Sequence, residues 1–175
     1  MDAASSKTLG VMSDTHGNTS LMLAVAKEMQ TRYGVQVIFH LGDDYEDAEW
    51  LGNMGYPVRK VPGLWCAAYH DGRIPKRLVE DFDGVLVACA HADKDLRYTE
   101  RAAAIVLTGH THQAAVDLLG RSLYVNPGHL ARTTSRGEPA TYAIIDLGPE
   151  QVHVQIRDVS GGVRAECTVP RDRLA

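Results

Sequence analysis

Apolar residues along this chain fall into short runs separated by polar turns, and the spacing inside the runs changes along its length. Residues 8–12 have the length and character of a strand and lead into the polar loop Ser13-Asp14-Thr15-His16-Gly17-Asn18. Over residues 19–33 the apolar Leu21, Met22, Val25 and Met29 recur at helical spacing, with the methionines assigned to core packing, and Gly34 supplies a stop. Residues 35–41 are β-branched and apolar enough for a strand buried on both faces. Strand, helix, strand predicts a parallel right-handed crossover. A short helix ending at Met54, a strand over 57–61 and an irregular loop over 62–75 come next. Residues 76–82 and 85–90 predict a hairpin about Asp83-Gly84, a favoured turn pair. Residues 95–104 are helical in composition and lead into an apolar run over 103–107 that suits a buried strand.

Beyond that point the pattern becomes short strands with tight turns, over 115–119, 122–125, 141–147, 152–159 and 163–169, and helical spacing is absent. An α/β half followed by a mostly antiparallel half is expected, the two packed sheet on sheet with helices outside. With 175 residues and 45% hydrophobic content, one core and a single domain over 1–175 follow. The ends, residues 1–6 and 171–175, are expected to fray.

A formal charge of −4 and a pI near 6.0 give no electrostatic reason to bind nucleic acid or an anionic membrane. No window approaches the roughly 18 apolar residues of a membrane helix. Cys66, Cys89 and Cys167 are odd in number and dispersed, and residues 1–7 lack an apolar signal core. A reducing cytoplasm suits this usage. A face of the antiparallel half left exposed would suit a homodimer.

The candidate chemistry lies where apolar strands end. Asp14 and His16 follow the first strand two residues apart, Asp43 follows the second in Gly42-Asp43-Asp44, His91 follows the fifth, and His110 and His112 follow residues 103–107. In an open α/β sheet the loops beyond the carboxyl ends of parallel strands form the functional crevice. A capping role competes for Asp14, because Ser, Asp, Thr and Asn all cap helices well, but His16 beside it favours a site. In the acidic run from Asp43 to Glu49, Glu46 and Glu49 fit a solvated first helical turn, whereas Asp43 fits the crevice. His40 is expected to be a hydrogen-bonded strand-end histidine. Mixed carboxylate and imidazole ligands suit Mn, Fe, Co, Ni or Zn and disfavour Ca or Mg. Six such ligands exceed the need of one tetrahedral ion and suit a two-metal centre bridged by a carboxylate.

Together, Asp14-Thr15-His16, Gly42-Asp43, the strand ending in His91, Gly109-His110-Thr111-His112 and Asn126-Pro127-Gly128 resemble the ordered motifs of the calcineurin-like metallophosphoesterases. The similarity is greatest to small single-domain bacterial and archaeal phosphodiesterases, a branch that includes the retromer scaffold subunit. It runs from Leu9 to about Val154. It implies a four-layer αββα sandwich of two mixed β-sheets flanked by helices. It also implies two divalent transition-metal ions, manganese foremost. Asp14, His16 and His112 would bind the first ion, Asp43 would bridge, and His91 and His110 would bind the second. The implied activity is hydrolysis of a small phosphoester, phosphodiesters above all, by a metal-bridging hydroxide.

One departure stands out. The family places Gly-Asn-His-Asp or Gly-Asn-Cys-Asp after the third strand, whereas this chain continues Gly63-Leu64-Trp65-Cys66. Leu64 cannot ligate a metal, and Trp65 replaces the histidine that would protonate a leaving group. The second ion is then weakly held, or His70 returns as ligand or general acid, or Cys66 supplies a thiolate. Without an acid, good leaving groups such as phenolates or phosphoanhydrides are expected. Asn18, Arg73 and His129 are candidates for contact with substrate phosphate. The alternative function is a non-catalytic metal-binding scaffold of the same fold, against which stands the presence of His16, His91, His110 and His112.

Overall fold

The computed structural model describes residues 6–175. Strand β1 (Lys7–Met12), helix α1 (Thr19–Tyr33), strand β2 (Val37–His40), helix α2 (Tyr45–Asn53) and strand β3 (Val58–Lys60) form the expected parallel crossovers. Asn18 caps α1 by accepting from the Leu21 amide at 3.2 Å, and left-handed Gly34 ends it. Strand β2 is shorter than the apolar run that predicts it, beginning at Val37.

Next come α3 (Ala67–His70), β4 (Arg77–Phe82), β5 (Val85–Ala90), α4 (Tyr98–Arg101), β6 (Ile105–Leu107), β7 (Ala115–Leu119) and β8 (Ser122–Asn126). The hairpin of β4 and β5 turns at Asp83 and Gly84 as expected, pairing Phe82 with Val85. The helix expected over 95–104 is only α4, preceded by a 3₁₀ turn at Asp93–Asp95. The segment breaks because Leu96 and Ala103 both turn down onto Ala88, Ala90 and Val106 of the sheet beneath. A two-stranded ribbon, β9 (Thr134–Ser135) and β10 (Glu138–Pro139), precedes β11 (Thr141–Leu147), β12 (Gln151–Asp158) and β13 (Val163–Pro170).

The two sheets are not the two halves of the sequence. One has the order β13-β12-β11-β1-β2-β3, and the other β4-β5-β6-β8-β7. The late strands extend the first sheet because β2 and β3 step away on one side of β1, leaving its other edge for β11, which pairs with it antiparallel. Between the sheets lie Leu9, Val11, Phe39 and Leu41 from one and Val87, Ile105, Leu107 and Leu123 from the other. Each such buried side chain contributes roughly 1.5–3 kcal/mol relative to exposure. On the outer face of the first sheet Met12, Ile38 and Ile144 pack on Met22, Val25, Met29 and Leu51 of the two long helices. The outer face of the second is covered thinly by α4 and its neighbouring turn. The result is a four-layer αββα sandwich.

The C-terminus does not fray. A 3₁₀ turn at Arg171–Arg173 brings Leu174 into the inter-sheet core, and Arg121 donates to the Leu174 carbonyl. The fraying expected at 1–6 falls mostly on residues 1–5, which lie outside the described residues. No described helix is long and apolar enough to cross a membrane.

Candidate metal centre

Strands β1 and β2 of one sheet and β5, β6 and β8 of the other end at the same rim, so the polar loops beyond them face one another. Four candidate ligands hold left-handed backbone, with φ 55° at Asp14, 48° at His16, 69° at His110 and 63° at His112. Such a conformation costs of order 1–3 kcal/mol at a non-glycine residue, and it turns the side chain back over the strand end. Gly109 lets the two histidine loops meet, since a Cβ there would strike the Ser13 hydroxyl and lie 2.8 Å from Asp14 Oδ2. Gly63 has the same role on the other side, where a Cβ would overlap the Asp43 backbone. Asn126 fastens the Gly109 to Thr111 turn by donating to the Gly109 carbonyl and the Thr111 hydroxyl, both at 3.0 Å.

Asp14, His16, Asp43 and His112 each offer a ligand atom, all within 4.8 Å of one another. His16 Nε2 lies 2.7 Å from Asp43 Oδ2 and 3.1 Å from His112 Nε2, which is 3.4 Å from Asp14 Oδ1. Asp14 Oδ2 accepts from the Ser13 hydroxyl at 2.6 Å and the His110 amide at 2.9 Å, while Oδ1 is buried with no donor. On the far side of Asp43, Oδ1 stands 3.1 Å from His91 Nε2, and both atoms are buried and unsatisfied. His91 Nδ1 is 2.6 Å from the Leu41 carbonyl. That contact requires Nδ1 to carry the proton, so neutral His91 presents a bare lone pair to a carboxylate oxygen. Burial works against a charged His91, but the hydrogen bond to Asp43 and the nearby carboxylates raise its pKa, so a proton or a metal ion relieves the facing pair. The His110 ring lies beside His91, centroids 5.1 Å apart. The donor set therefore fits divalent transition metal.

The electrostatics agree with this geometry. Burial works to raise the Asp43 carboxyl pKa, but the His16 and His91 imidazoles outweigh it and hold the group well below the usual carboxylate range. His16 is raised, chiefly by its hydrogen bond to Asp43. His129 is lowered by burial, and its ring stacks 5.3 Å from His112.

Sequence reading missed the support beneath the ligands. His40 is fully buried, as expected of a hydrogen-bonded strand-end residue, and its Nδ1 accepts from the Gly42 amide at 3.3 Å. Its Nε2 is 3.2 Å from the Thr15 hydroxyl, which donates to Asp47 Oδ2 at 2.6 Å. The same oxygen accepts from the Gly17 amide at 2.9 Å. Asp47 thus leaves the acidic first turn of α2 to pin the Asp14 to Gly17 loop. Nothing in the local sequence distinguishes it from Glu46.

The divergent loop after β3 keeps its approach to Asp43 through Gly63 but brings no ligand with it. Leu64 is half-buried, Trp65 is 85% exposed, and the buried Cys66 thiol donates to the Gly63 carbonyl at 3.1 Å. His70 is exposed at the end of α3 with its ring edge on Tyr69 and is not one of the four grouped donors. The three residues expected to meet substrate phosphate are engaged elsewhere. Asn18 caps α1 and donates to the Ala131 carbonyl, Arg73 pairs with Asp71 at 2.8 Å, and His129 is buried against the Glu138 carbonyl. A cavity of about 390 Å³ opens instead on His16 and His112, walled by Ala131, Arg132, Thr134, Ser135 and Arg136.

Solved structures share this architecture. A conserved protein of Streptococcus pneumoniae, described as a predicted phosphoesterase, is 25% identical over 97% of this chain and 100% of its own, with a TM-score of 0.69. An archaeal phosphodiesterase is 18% identical over 93% of this chain and 99% of its own, with a TM-score of 0.63. Vacuolar protein sorting 29 from Cryptosporidium parvum is 18% identical over 94% of this chain and 98% of its own, with a TM-score of 0.71. The last two share the fold. No curated protein sequence matches the chain. Residues 8–150 match the model of the calcineurin-like phosphoesterase superfamily domain, a span that holds every carboxylate and imidazole gathered at the rim. The chain belongs to the calcineurin-like phosphoesterase superfamily.

Proposed function

We propose that the chain is a metal-dependent hydrolase of small phosphodiesters. It holds one divalent ion between Asp14, His16, Asp43 and His112 and a second, weaker one between Asp43, His91 and His110. Manganese is foremost, with Fe, Ni, Co or Zn compatible with the same donors. The observation that carries this reading is the gathering of ligand atoms of Asp14, His16, Asp43 and His112 within 4.8 Å of one another, with His91 Nε2 3.1 Å from the far oxygen of Asp43. When bound, such ions lower the pKa of water and neutralise phosphoryl charge. The chain's own groups do the positioning. Asp43 spans both positions, the Leu41 carbonyl fixes the His91 tautomer, and Ser13 and the His110 amide leave one Asp14 oxygen free to ligate.

His70 is proposed to protonate poor leaving groups, since its exposure leaves the ring open to a bound substrate. A kcat loss in His70→Ala confined to alkyl leaving groups would assign that role. The scaffold reading has one observation in its favour, Leu64 where the family carries an asparagine ligand. Manganese-dependent turnover of bis(p-nitrophenyl) phosphate that drops about a thousandfold in Asp43→Asn supports the enzyme. Absence of turnover with every divalent metal would support the scaffold.

A further inference from the structure

Resting on the phosphoesterase reading above, we infer that Arg132 and Arg136 form an anion subsite for a second phosphoryl group, so that the favoured substrates are small diphosphate esters cleaved at the phosphoanhydride. Both residues wall the cavity that opens on His16 and His112, and Thr134 and Ser135 join them. Ion pairs among the described residues engage Arg32, Arg59, Arg73, Arg77, Arg101 and Arg164, and leave these two guanidiniums without a carboxylate. Unpaired arginines at the mouth of a phosphoryl-transfer site are suited to bidentate recognition of phosphate oxygens. A cavity of about 390 Å³ is the size of a small-molecule pocket.

The segment is built to hold them there. His129 donates to the Glu138 carbonyl at 3.0 Å, Asn18 to the Ala131 carbonyl at 3.1 Å, and Ala140 to the Thr133 carbonyl at 3.0 Å. The Asn18 bond ties this segment to the loop that carries His16, the other two brace the ribbon of β9 and β10, and the His129 ring lies against His112. The ribbon turns through Arg136 and Gly137, with φ of 55° and 83°. A two-residue turn with both φ positive prefers asparagine first. Arginine at that position costs stability, and the cavity gives it a use.

The subsite also answers the departure after β3. In a diphosphate ester, water adds its hydroxyl to one phosphorus and the bond from that phosphorus to the bridging oxygen breaks. The electron pair stays on the departing phosphate and the protons go to solvent. A phosphate leaving group needs no proton from the enzyme, so loss of the family's histidine to Trp65 is tolerated, and the guanidiniums offset the charge that develops.

Two readouts test this. Titration calorimetry with methylenediphosphonate, with and without manganese, should show affinity falling at least tenfold in R132A/R136A, and in Arg136→Asn, which suits the turn and keeps the fold. The ratio of kcat/KM for a nucleoside diphosphate sugar to that for bis(p-nitrophenyl) phosphate should fall by at least tenfold in the same variants. Unchanged diphosphonate affinity, or an equal loss on both substrates, overturns the subsite and leaves the phosphoesterase reading standing. Failure of wild type to hydrolyse either ester overturns that reading, and the diphosphonate titration still decides whether the arginines bind.

Discussion

The Asp47 carboxylate accepts from both the Thr15 hydroxyl and the Gly17 amide, so one side chain on α2 sets the position of Asp14 and His16. Its replacement in Asp47→Ala leaves two donors without an acceptor, and chemical denaturation should show a loss of about 2 kcal/mol. Groups that orient metal ligands matter beyond stability. Manganese affinity of the folded variant should fall by about 10–100-fold, and an unchanged affinity would reduce Asp47 to a structural role. His40, in the same network, carries a pH dependence. Burial drives its pKa down from 6.5 to about 4. Between those values the unfolded chain binds a proton that the folded chain refuses, so stability is lost as pH falls from about 6.5 towards 4, by about 3 kcal/mol. Denaturation at pH 7 and pH 4.5 should show this loss in wild type and a smaller one in His40→Gln. Equal losses would show that His40 does not titrate this way. Neither residue announces itself in sequence, because each acts on a loop 25–32 positions away.

At the level of elements, the loops were legible where chemistry sits directly after an apolar run. Asp14-Thr15-His16, Gly42-Asp43, His91 and His110-Thr111-His112 each follow a strand that periodicity finds, and the structure brings these loops to one rim. The thin layer over residues 93–101 was not legible, since helical composition does not reveal that Leu96 and Ala103 must both face the sheet. Arg132 and Arg136 escaped for a related reason, lying beside strands of two residues each that carry no periodic signal. The loop after β3 offers the sharpest element-level test. Gly63 abuts the Asp43 backbone, so a ligand at the next position would lie beside the proposed second metal position. Leu64→Asn should therefore raise manganese retained after gel filtration towards about two per chain. Retention equal to wild type would show that the loop does not reach the second position.

For the whole molecule, local pattern predicted both sheets but not their membership, because β11 finds the free edge of β1 across more than a hundred residues of chain. The outcome places the ends of parallel strands from two sheets against each other, and the charge concentrated there is only partly balanced by the protein's own donors. Metal should then stabilise the entire fold. At a manganese concentration a hundred times Kd the gain is about 2.7 kcal/mol, which for a chain of this size is about 5–11 °C in Tm. Chelation should reverse it, and Asp43→Asn should abolish it. A Tm indifferent to manganese would mean that the ion does not bind the folded state.

Anomalous diffraction at the manganese edge from crystals grown with saturating manganese tests the central claim most directly. A strong peak between Asp14, His16, Asp43 and His112 is expected, with a weaker one roughly 3.5–4 Å away between Asp43, His91 and His110. A featureless map among those six side chains at saturating metal would contradict the account.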